Sequence, residues 1–284
     1  MTNTPICDNI VFNTTYGSER EAGDTDKRKI IYYSDELNDE FSKAQITPIR
    51  IDGKYVYCHD RAVEKLASFF WYRIIFTPIA YSYSKLCFGH KTVGKSKLSK
   101  CKGKGYFLYG NHTQDIGDAF MPNLMSFPCR SYFIVHPNNV SMPFLSRLTP
   151  LLGALPLPDD LDASRSFFEA IDRRINEGGC VVIYPEAHIW PYYTKIRPFK
   201  DDSFYYPIKL GAPVFCFTNT YQKRRWRKRP RIVTYIDGPF YPDESLSKRR
   251  QRAELRDRIY ACMCERSKLS DAEVIKYIRE DEKP

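Results

Sequence analysis

The chain has 284 residues, of which 43% are hydrophobic and 15% aromatic, which is enough for a large core and too much for a disordered chain. Its 44 Lys and Arg outnumber its 34 Asp and Glu, and the formal charge is +10. No Gly-X-Y period and no repeat of solenoid or propeller length is present, so collagen and repeat architectures are excluded. The nine Cys are scattered without a C-x-x-C pair, which favours reduced thiols in a cytosolic compartment over a disulfide framework.

The positive charge is concentrated late in the chain. Residues 195–258 carry seventeen basic and seven acidic side chains, and residues 223–231 hold the densest basic run. Such a run is often only a solvated hairpin or loop. Its possible anionic partners are lipid, the phosphates of a coenzyme and nucleic acid. Because no nucleic-acid-binding motif is present, we rank a membrane surface or an acyl carrier first and expect no nucleic-acid partner.

The first part of the chain divides into two predicted segments. Residues 1–59 are predicted to form an acidic, loosely ordered N-terminal arm without the apolar core of a signal peptide. Residues 60–89 are predicted to form an amphipathic, aromatic helical segment, which Arg73 and Pro78 interrupt before it reaches the length of a membrane span.

Two interpretations of this aromatic segment remain open. It is either a helix packed on the core or a helix lying in the headgroup layer of a membrane. Four of its aromatic residues would suit such an interface: Trp71, Tyr72, Tyr81 and Tyr83.

Residues 90–284 alternate short apolar runs with helical patterns. The sequence predicts strands over residues 105–109, 132–135, 153–157, 180–184, 213–217 and 231–236. It predicts helices over 117–125 and 142–152, a helix capped by Asp162, and a helix from Asp201 or Asp202 to Leu210. Two further helices are predicted to close the chain. One places Leu255, Ile259, Cys262 and Met263 on a shared face, and the other starts at Ser270 with Glu273 in a capping box. This alternation predicts an α/β fold with a central, mainly parallel sheet flanked by helices.

Active groups in such sheets gather in the loops that follow the strands. The first of these loops places His112 just after a buried strand, with Asp115 and Asp118 close behind. Histidine is the natural base near neutral pH, and a carboxylate on its second nitrogen fixes its tautomer. No Ser or Cys flanks the histidine, so the substrate would supply the nucleophile, for example a hydroxyl. The plainer alternative is a loop histidine held by hydrogen bonds, with an aspartate as a helix cap.

The second loop follows the strand predicted at 180–184. It contains Glu186 and His188, and Lys195, Arg197 and Lys200 come soon after. A carboxylate next to a buried strand needs a partner, and the cations are suited to a phosphate or carboxylate. The alternative is that Glu186 caps a helix or pairs with Arg197.

Together the two loops resemble the PlsC-type glycerolphosphate acyltransferase family. Its first marker, Asn-His followed by four residues and Asp, is matched by Asn111-His112, although five residues separate His112 from Asp118 and two separate it from Asp115. Its second marker, Phe-Pro-Glu-Gly-Thr-Arg, is present as Tyr-Pro-Glu-Ala-His-Ile over residues 184–189. Further blocks at 143–155, 198–200 and 211–217 follow in the family's order, so the resemblance covers about residues 90–220.

The resemblance implies transfer of a fatty acyl group from acyl-CoA or acyl-carrier protein to a lysophospholipid hydroxyl, with 1-acylglycerol-3-phosphate as acceptor and phosphatidic acid as product. His112 would then be the general base and Asp118 would orient it, with no covalent intermediate, no metal and no cofactor beyond the acyl donor. Lys195 or Arg197 would replace the family's missing arginine. The remaining implied substrate-binding residues are Asn111, Asp115, Glu186, His188 and Lys200.

The substrates imply a membrane partner. An anionic membrane surface, and also an acyl-carrier protein, would contact the protein, which we expect to be cytoplasmic and monotopic at the inner face of the cell membrane. Two other hypotheses remain open. The chain is either a non-catalytic lipid-binding protein that kept the fold, or a metal-dependent hydrolase that uses the carboxylates and histidines of the two loops.

Overall fold

The computed structural model describes residues 28–41, 46–101, 103–143 and 145–283. Its centre is a seven-stranded sheet in the order β2-β8-β7-β3-β6-β4-β5. Strands β3 to β7 are parallel to one another, β8 is antiparallel to β7, and β2 is parallel to β8. The strands of this sheet are β2 Lys91–Val93, β3 Tyr106–Gly110, β4 Ser131–Val135, β5 Ala154–Pro156, β6 Cys180–Ile183, β7 Val214–Gln222 and β8 Arg231–Phe240. The predicted α/β fold with a mainly parallel sheet is confirmed.

The central strands are continuous apolar runs because helices cover both faces of the sheet. Every residue of β3 is buried, as is every residue of β6. Alternate side chains enter opposite cores: Phe107 packs in one cluster and Leu108 in the other. One face is covered by α5, α6 and α7, and the other by α2 and α3. The helices are α1 Ala62–Phe69, α2 Thr77–Phe88, α3 Gly117–Ser126, α4 Asn138–Ser141, α5 Leu161–Asn176, α6 Tyr205–Leu210 and α7 Lys248–Ser267.

Two predicted helix positions are wrong. The cap of α5 is Asp160, whose extended backbone lets its carboxylate accept from the N–H of Ala163, and Asp162 lies inside the first turn. Residues 142–152 do not form an α-helix in the part of that segment which the structure describes. Helix α4 ends at Ser141, and the described part of this segment forms turns and a short 3₁₀ helix at Pro150–Leu152, because Pro143 and Pro150 cannot donate to a helical ladder.

The predicted aromatic segment is helical from Ala62 to Phe88. A π-helical stretch, Phe70–Phe76, joins α1 to α2, and the N–H of Thr77 reaches five residues back to the carbonyl of Tyr72. This widening lies just before Pro78, which has no N–H to donate. Among the described residues, no helix combines the length and the apolar character needed to cross a bilayer.

The segment combines side chains packed in the core with exposed apolar side chains. Tyr72 is buried, and its hydroxyl accepts from the N–H of Ser131 at 2.7 Å. Tyr83 packs edge-on against Phe88 and Phe120. The exposed apolar residues of the segment are Val63, Leu66, Phe69, Phe70, Trp71, Ile74, Ile79, Tyr81 and Leu86.

A second, two-stranded sheet joins the two ends of the described chain. Strand β1, Lys29–Tyr33, pairs in parallel with β9, Ile275–Arg279. The helix predicted from Ser270 is therefore wrong. The groups of its expected capping box act elsewhere, since the hydroxyl of Ser270 accepts from the N–H of Tyr221 and Glu273 pairs with Arg28.

The predicted N-terminal arm contributes to the packed fold where the structure describes it. Ile51 is fully buried, and its N–H donates to Asp159 at 2.7 Å. The hydroxyl of Tyr57 donates to the carbonyl of Pro156 at 3.0 Å. Residues 1–27 and 42–45 of the arm lie outside the described residues. The eight cysteines among the described residues form no disulfide.

Candidate active site

The loop after β3 brings His112 and Asp118 together. The Nδ1 atom of His112 lies 2.8 Å from Oδ2 of Asp118. Asp118 is the second residue of α3, and its side chain folds back over the loop to accept from the N–H groups of Thr113 and Gln114 at 2.8 and 2.9 Å. Residues 115–116 form a turn between the histidine and α3, and Asp115 is exposed.

This contact determines which nitrogen of the neutral imidazole carries the proton. Because Asp118 offers a carboxylate oxygen, Nδ1 of His112 is assigned as the donor, and the lone pair is left on Nε2. No hydrogen-bond partner for Nε2 occurs among the described residues, and the side chain remains 25% exposed. The ring therefore presents a basic nitrogen towards solvent at the carboxyl edge of the sheet.

Asp118 is buried, and burial raises its pKa above the ordinary value of an aspartate. The hydrogen bonds from His112 and from the backbone of Gln114 and Thr113 act in the opposite direction. Its second oxygen, Oδ1, accepts from the side-chain amide of Asn219 at 3.3 Å. Both oxygens therefore have donors, which fixes the carboxylate against the imidazole.

Asn219 is a residue of the site that sequence reasoning missed. Thr234 donates to Oδ1 of Asn219 at 2.6 Å, which turns the amide nitrogen of Asn219 towards Asp118. His90 in turn lies 2.8 Å from the Thr234 hydroxyl, and burial lowers the pKa of His90 to about 4. A chain of buried polar groups thus extends from the His112–Asp118 pair across β7 and β8. The only sequence signal was polar residues inside otherwise apolar strands.

Asn111 holds the loop to β7. Its amide oxygen accepts from the backbone N–H of Asn219 at 2.8 Å, and its amide nitrogen donates to the carbonyl of Asn219 at 3.1 Å. Asn111 is buried, with these two contacts made. Its position is that of a loop anchor, one residue before the histidine.

Tyr184 is a second missed residue. Its ring stacks on the imidazole of His112 with centroids 4.4 Å apart and an interplanar angle of 20°. Its hydroxyl donates to the backbone carbonyl of Asp118 at 2.5 Å. The aromatic residue that opens the Tyr-Pro-Glu sequence therefore fixes the plane of the histidine ring.

Glu186 lies beneath the histidine loop and joins it to the second loop. Its Oε2 accepts from the backbone N–H of His112 and its Oε1 from the backbone N–H of Arg197, both at 3.1 Å. The Arg197 guanidinium lies 3.5 Å from the carboxylate, and both side chains are fully buried. Burial raises the pKa of Glu186, while the charge of Arg197 opposes that shift.

Arg197 is enclosed by residues from both ends of the described chain. Its guanidinium stacks over Trp190 at 4.9 Å and donates to the carbonyls of His188 and Glu36. Tyr277 of β9 stacks on the ring of Trp190, with centroids 5.0 Å apart. A fully buried Arg197 does not face solvent, where an acceptor would approach.

The other predicted substrate-binding residues lie further out. His188 is 3.6 Å from Glu40, and Lys195 and Lys200 are exposed. Within the described residues, no three His, Cys, Asp or Glu side chains are placed to hold a metal ion.

Part of the chain matches a known family, and its fold resembles a solved structure. Residues 91–218 match the Acyltransferase family. The fold is similar to that of PlsC, the 1-acyl-sn-glycerophosphate (LPA) acyltransferase of Thermotoga maritima, with a TM-score of 0.52 and 17% identity, over 75% of this chain and 86% of that chain. No curated protein matches the chain. Residues 91–218 therefore carry an acyltransferase domain, and the fold of the chain is similar to that of PlsC.

Proposed function

We propose that this protein transfers a fatty acyl group from acyl-CoA or acyl-carrier protein to the hydroxyl of a lysophospholipid, with 1-acylglycerol-3-phosphate as acceptor and phosphatidic acid as product. The observation that carries the proposal is the 2.8 Å contact between His112 and Asp118 within an acyltransferase domain. The similarity to a 1-acyl-sn-glycerophosphate acyltransferase supports this choice of acceptor.

In the proposed reaction, Nε2 of His112 takes the proton of the acceptor hydroxyl. The oxygen then attacks the thioester carbonyl, the tetrahedral intermediate expels the thiolate, and the proton passes from the imidazolium to the thiolate or to water. Asp118 stabilises the imidazolium while it exists. The oxyanion needs donors placed in advance, and the backbone N–H groups of Ile116 and Gly117 at the start of α3 are the candidates.

The acceptor headgroup needs a cation because Ile189 stands where the family's second marker has arginine. Arg197 is already paired with Glu186 inside the protein. Lys195 and Lys200 are exposed, and we assign the headgroup phosphate to them.

The apolar side of the helical segment is the proposed contact with the membrane. Phe70 and Ile74 are about half exposed, and Leu66 is 70% exposed. Isolated apolar residues at a surface are ordinary, but a series of them along one helical segment suits an interfacial position.

The basic run supplies the proposed electrostatic part of this contact. It forms the tip of the hairpin between β7 and β8, and Arg224 and Arg227 donate to the carbonyls of Cys87 and Leu86 at the end of α2. Trp226 at its tip is 83% exposed. Cations near an anionic leaflet contribute about 1 kcal/mol each, so a peripheral position at the inner face of the cell membrane is part of the proposal.

The proposal is tested by mixing the purified protein with acyl-CoA or acyl-carrier-protein thioester and measuring thiol release. Three acceptors are compared: 1-acylglycerol-3-phosphate, lysophosphatidylcholine and monoacylglycerol. We expect release that depends on the acceptor and is fastest with the first. If release depends on the acceptor but is fastest with another one, acyl transfer is supported and the proposed headgroup is wrong. Binding to lipid vesicles with no release above the acceptor-free rate would favour the non-catalytic lipid-binding protein.

A further inference from the structure

A cavity of about 210 Å³ lies at the edge of the sheet opposite the histidine loop. His112 and Glu186 follow the carboxyl ends of β3 and β6, whereas Arg130 and Gly153 of the cavity directly precede the amino ends of β4 and β5. Because these strands are parallel, the two sites are separated by the length of the strands, roughly 13 Å for four residues. The cavity is therefore distinct from the candidate active site.

The side chains that line the cavity are rich in cations. Four of them are permanently charged: Lys65 of α1, Arg130, and Arg173 and Arg174 of α5. Glu177 is the one carboxylate among the lining residues, and it is shared by Arg173 and Arg174. Asp60, outside the lining, takes a further pair of hydrogen bonds from Arg173. Arg130 has no carboxylate partner among the described residues.

Arg130 is held in place without a counter-ion. Its guanidinium lies over the rings of Tyr72 and Tyr132, at 4.8 and 5.2 Å. One nitrogen, Nη2, donates to the hydroxyl of Ser68 and to the carbonyl of Leu151, both at 2.6 Å. The rings and the two acceptors fix its position, but they supply no negative charge to offset a cation that is removed from water.

Two donors around the cavity are also unused. The Nε atoms of Arg130 and Arg174 are buried and have no hydrogen-bond partner among the described residues. Arg174 lies over the same Tyr132 ring as Arg130, at 4.8 Å, so two guanidinium groups meet at one aromatic side chain. An anion between them would relieve their repulsion and accept the unused N–H groups.

We propose that this cavity binds a phosphate group, with Arg130 and Arg174 as its main donors and Lys65 at its rim. Arginine presents paired N–H groups that match phosphate oxygens, and the cavity is large enough for a phosphate with a small substituent. Two sources share this chemistry. One is free phosphate or a soluble phosphate ester. The other is the headgroup of an anionic lipid, which the exposed Val63 and Leu66 beside Lys65 would bring close.

The test titrates inorganic phosphate into the purified full-length protein and follows its melting temperature and the heat of binding. We expect a saturable stabilisation of the wild-type protein. Arg130→Gln and Arg174→Gln should each weaken the phosphate affinity about tenfold or more, and Lys65→Gln should weaken it less. Arg165→Gln is the matched control, because it removes the same charge from an exposed position of α5 outside the cavity.

A second arm separates the two sources. Binding is measured to phosphatidylcholine vesicles with and without phosphatidylglycerol. If the ligand is a lipid headgroup, Arg174→Gln weakens binding only to the vesicles with phosphatidylglycerol, and Arg165→Gln does not. If Arg130→Gln does not fold, Arg174→Gln and Lys65→Gln carry the test. The proposal is overturned if neither phosphate affinity nor vesicle binding depends on these residues. Phosphate affinity that is retained in His112→Ala would show that the result is independent of the proposed acyl transfer.

Discussion

In the proposed reaction, His112 acts through Nε2, and the position of this atom depends on the residues that hold the imidazole ring. Asp118 holds one side of the ring, Tyr184 holds its plane, and Asn219 holds Asp118. A proton transfer requires the base to lie within hydrogen-bond distance of the hydroxyl. Because Asp118 orients the His112 ring, a small rotation of Asp118 should lower the rate of the reaction.

We predict that Asn219→Leu lowers kcat about ten- to a hundredfold. It removes one hydrogen bond to a charged group, which is worth about 1.5–3 kcal/mol. The KM for the acceptor should change little, because Asn219 is buried behind Asp118. Thr234→Val should give a smaller loss, since it frees the Asn219 amide without removing it. Steady-state kinetics of both variants check the prediction, and an unchanged kcat in Asn219→Leu would contradict it.

A variant of Glu186 can show whether this residue stabilises the fold or binds the acceptor. We predict that Glu186→Gln destabilises the protein by about 3 kcal/mol, because it leaves the Arg197 guanidinium buried without a counter-ion. The double variant Glu186→Gln/Arg197→Met should recover part of this loss. Denaturant unfolding measures both. A normal stability combined with a raised acceptor KM would instead favour direct contact with the acceptor.

Part of the site could be predicted from the sequence. A histidine with two aspartates close behind follows a buried strand, and the resemblance to the family's Asn-His marker selected Asp118 as the partner of His112. The burial of Arg197 could not be predicted, because it depends on Trp190 and on the carbonyl of Glu36, more than 150 residues away in the chain. Asn219 was missed for the same reason, since its role appears only when β7 lies beside β3.

The carboxylate of Asp237 joins three elements of the fold, namely β8, α7 and the 3₁₀ helix Lys95–Cys101. Asp237 of β8 accepts from Lys97 at 2.6 Å and from Arg266 at 2.7 and 2.9 Å. Burial alone would raise the pKa of Asp237, but the hydrogen bonds from Arg266 and Lys97 outweigh burial and lower the pKa to about 2. The charged form of Asp237 therefore stabilises the folded state.

We predict a pH-dependent loss of stability at this junction. Since the folded pKa lies below the unfolded value, the contribution is complete above about pH 4 and is lost as the pH falls towards 2. It amounts to about 2 kcal/mol. Asp237→Asn should be less stable than the wild type at neutral pH, and the difference should shrink over this acidic range. Unfolding free energies at several pH values test this, and a constant difference would contradict it.

Strands could be predicted where both faces of the sheet are buried, because burial on both faces produces a continuous apolar run, as in β3 and β6. The C-terminal strand was mistaken for a helix because Ser270 and Glu273 fit a capping pattern locally. Residues 275–279 form a strand instead, because β9 pairs with β1 at the opposite end of the described chain. Such long-range pairing leaves no local signal that could outweigh a capping pattern.

For the whole molecule, the proposed membrane contact is made by the exposed side of the helical segment and by the basic hairpin. We predict that Phe70→Ser/Ile74→Ser weakens binding to anionic vesicles several-fold without lowering the melting temperature, because both residues are about half exposed. Flotation and thermal unfolding test the two parts. Exposed Leu161→Ser is the control, since it removes an apolar side chain outside this segment. Equal vesicle binding by all variants would contradict the assignment.

The central claim is that His112, oriented by Asp118, deprotonates a lipid hydroxyl for acyl transfer. The most direct measurement is mass spectrometry of lipids from cells that express the wild-type protein, His112→Ala, or the control His136→Ala, which alters an exposed histidine. The account predicts that the wild type and His136→Ala convert a lysophospholipid to a product heavier by one acyl group, and that His112→Ala does not. The same product from His112→Ala at the wild-type level would contradict the claim.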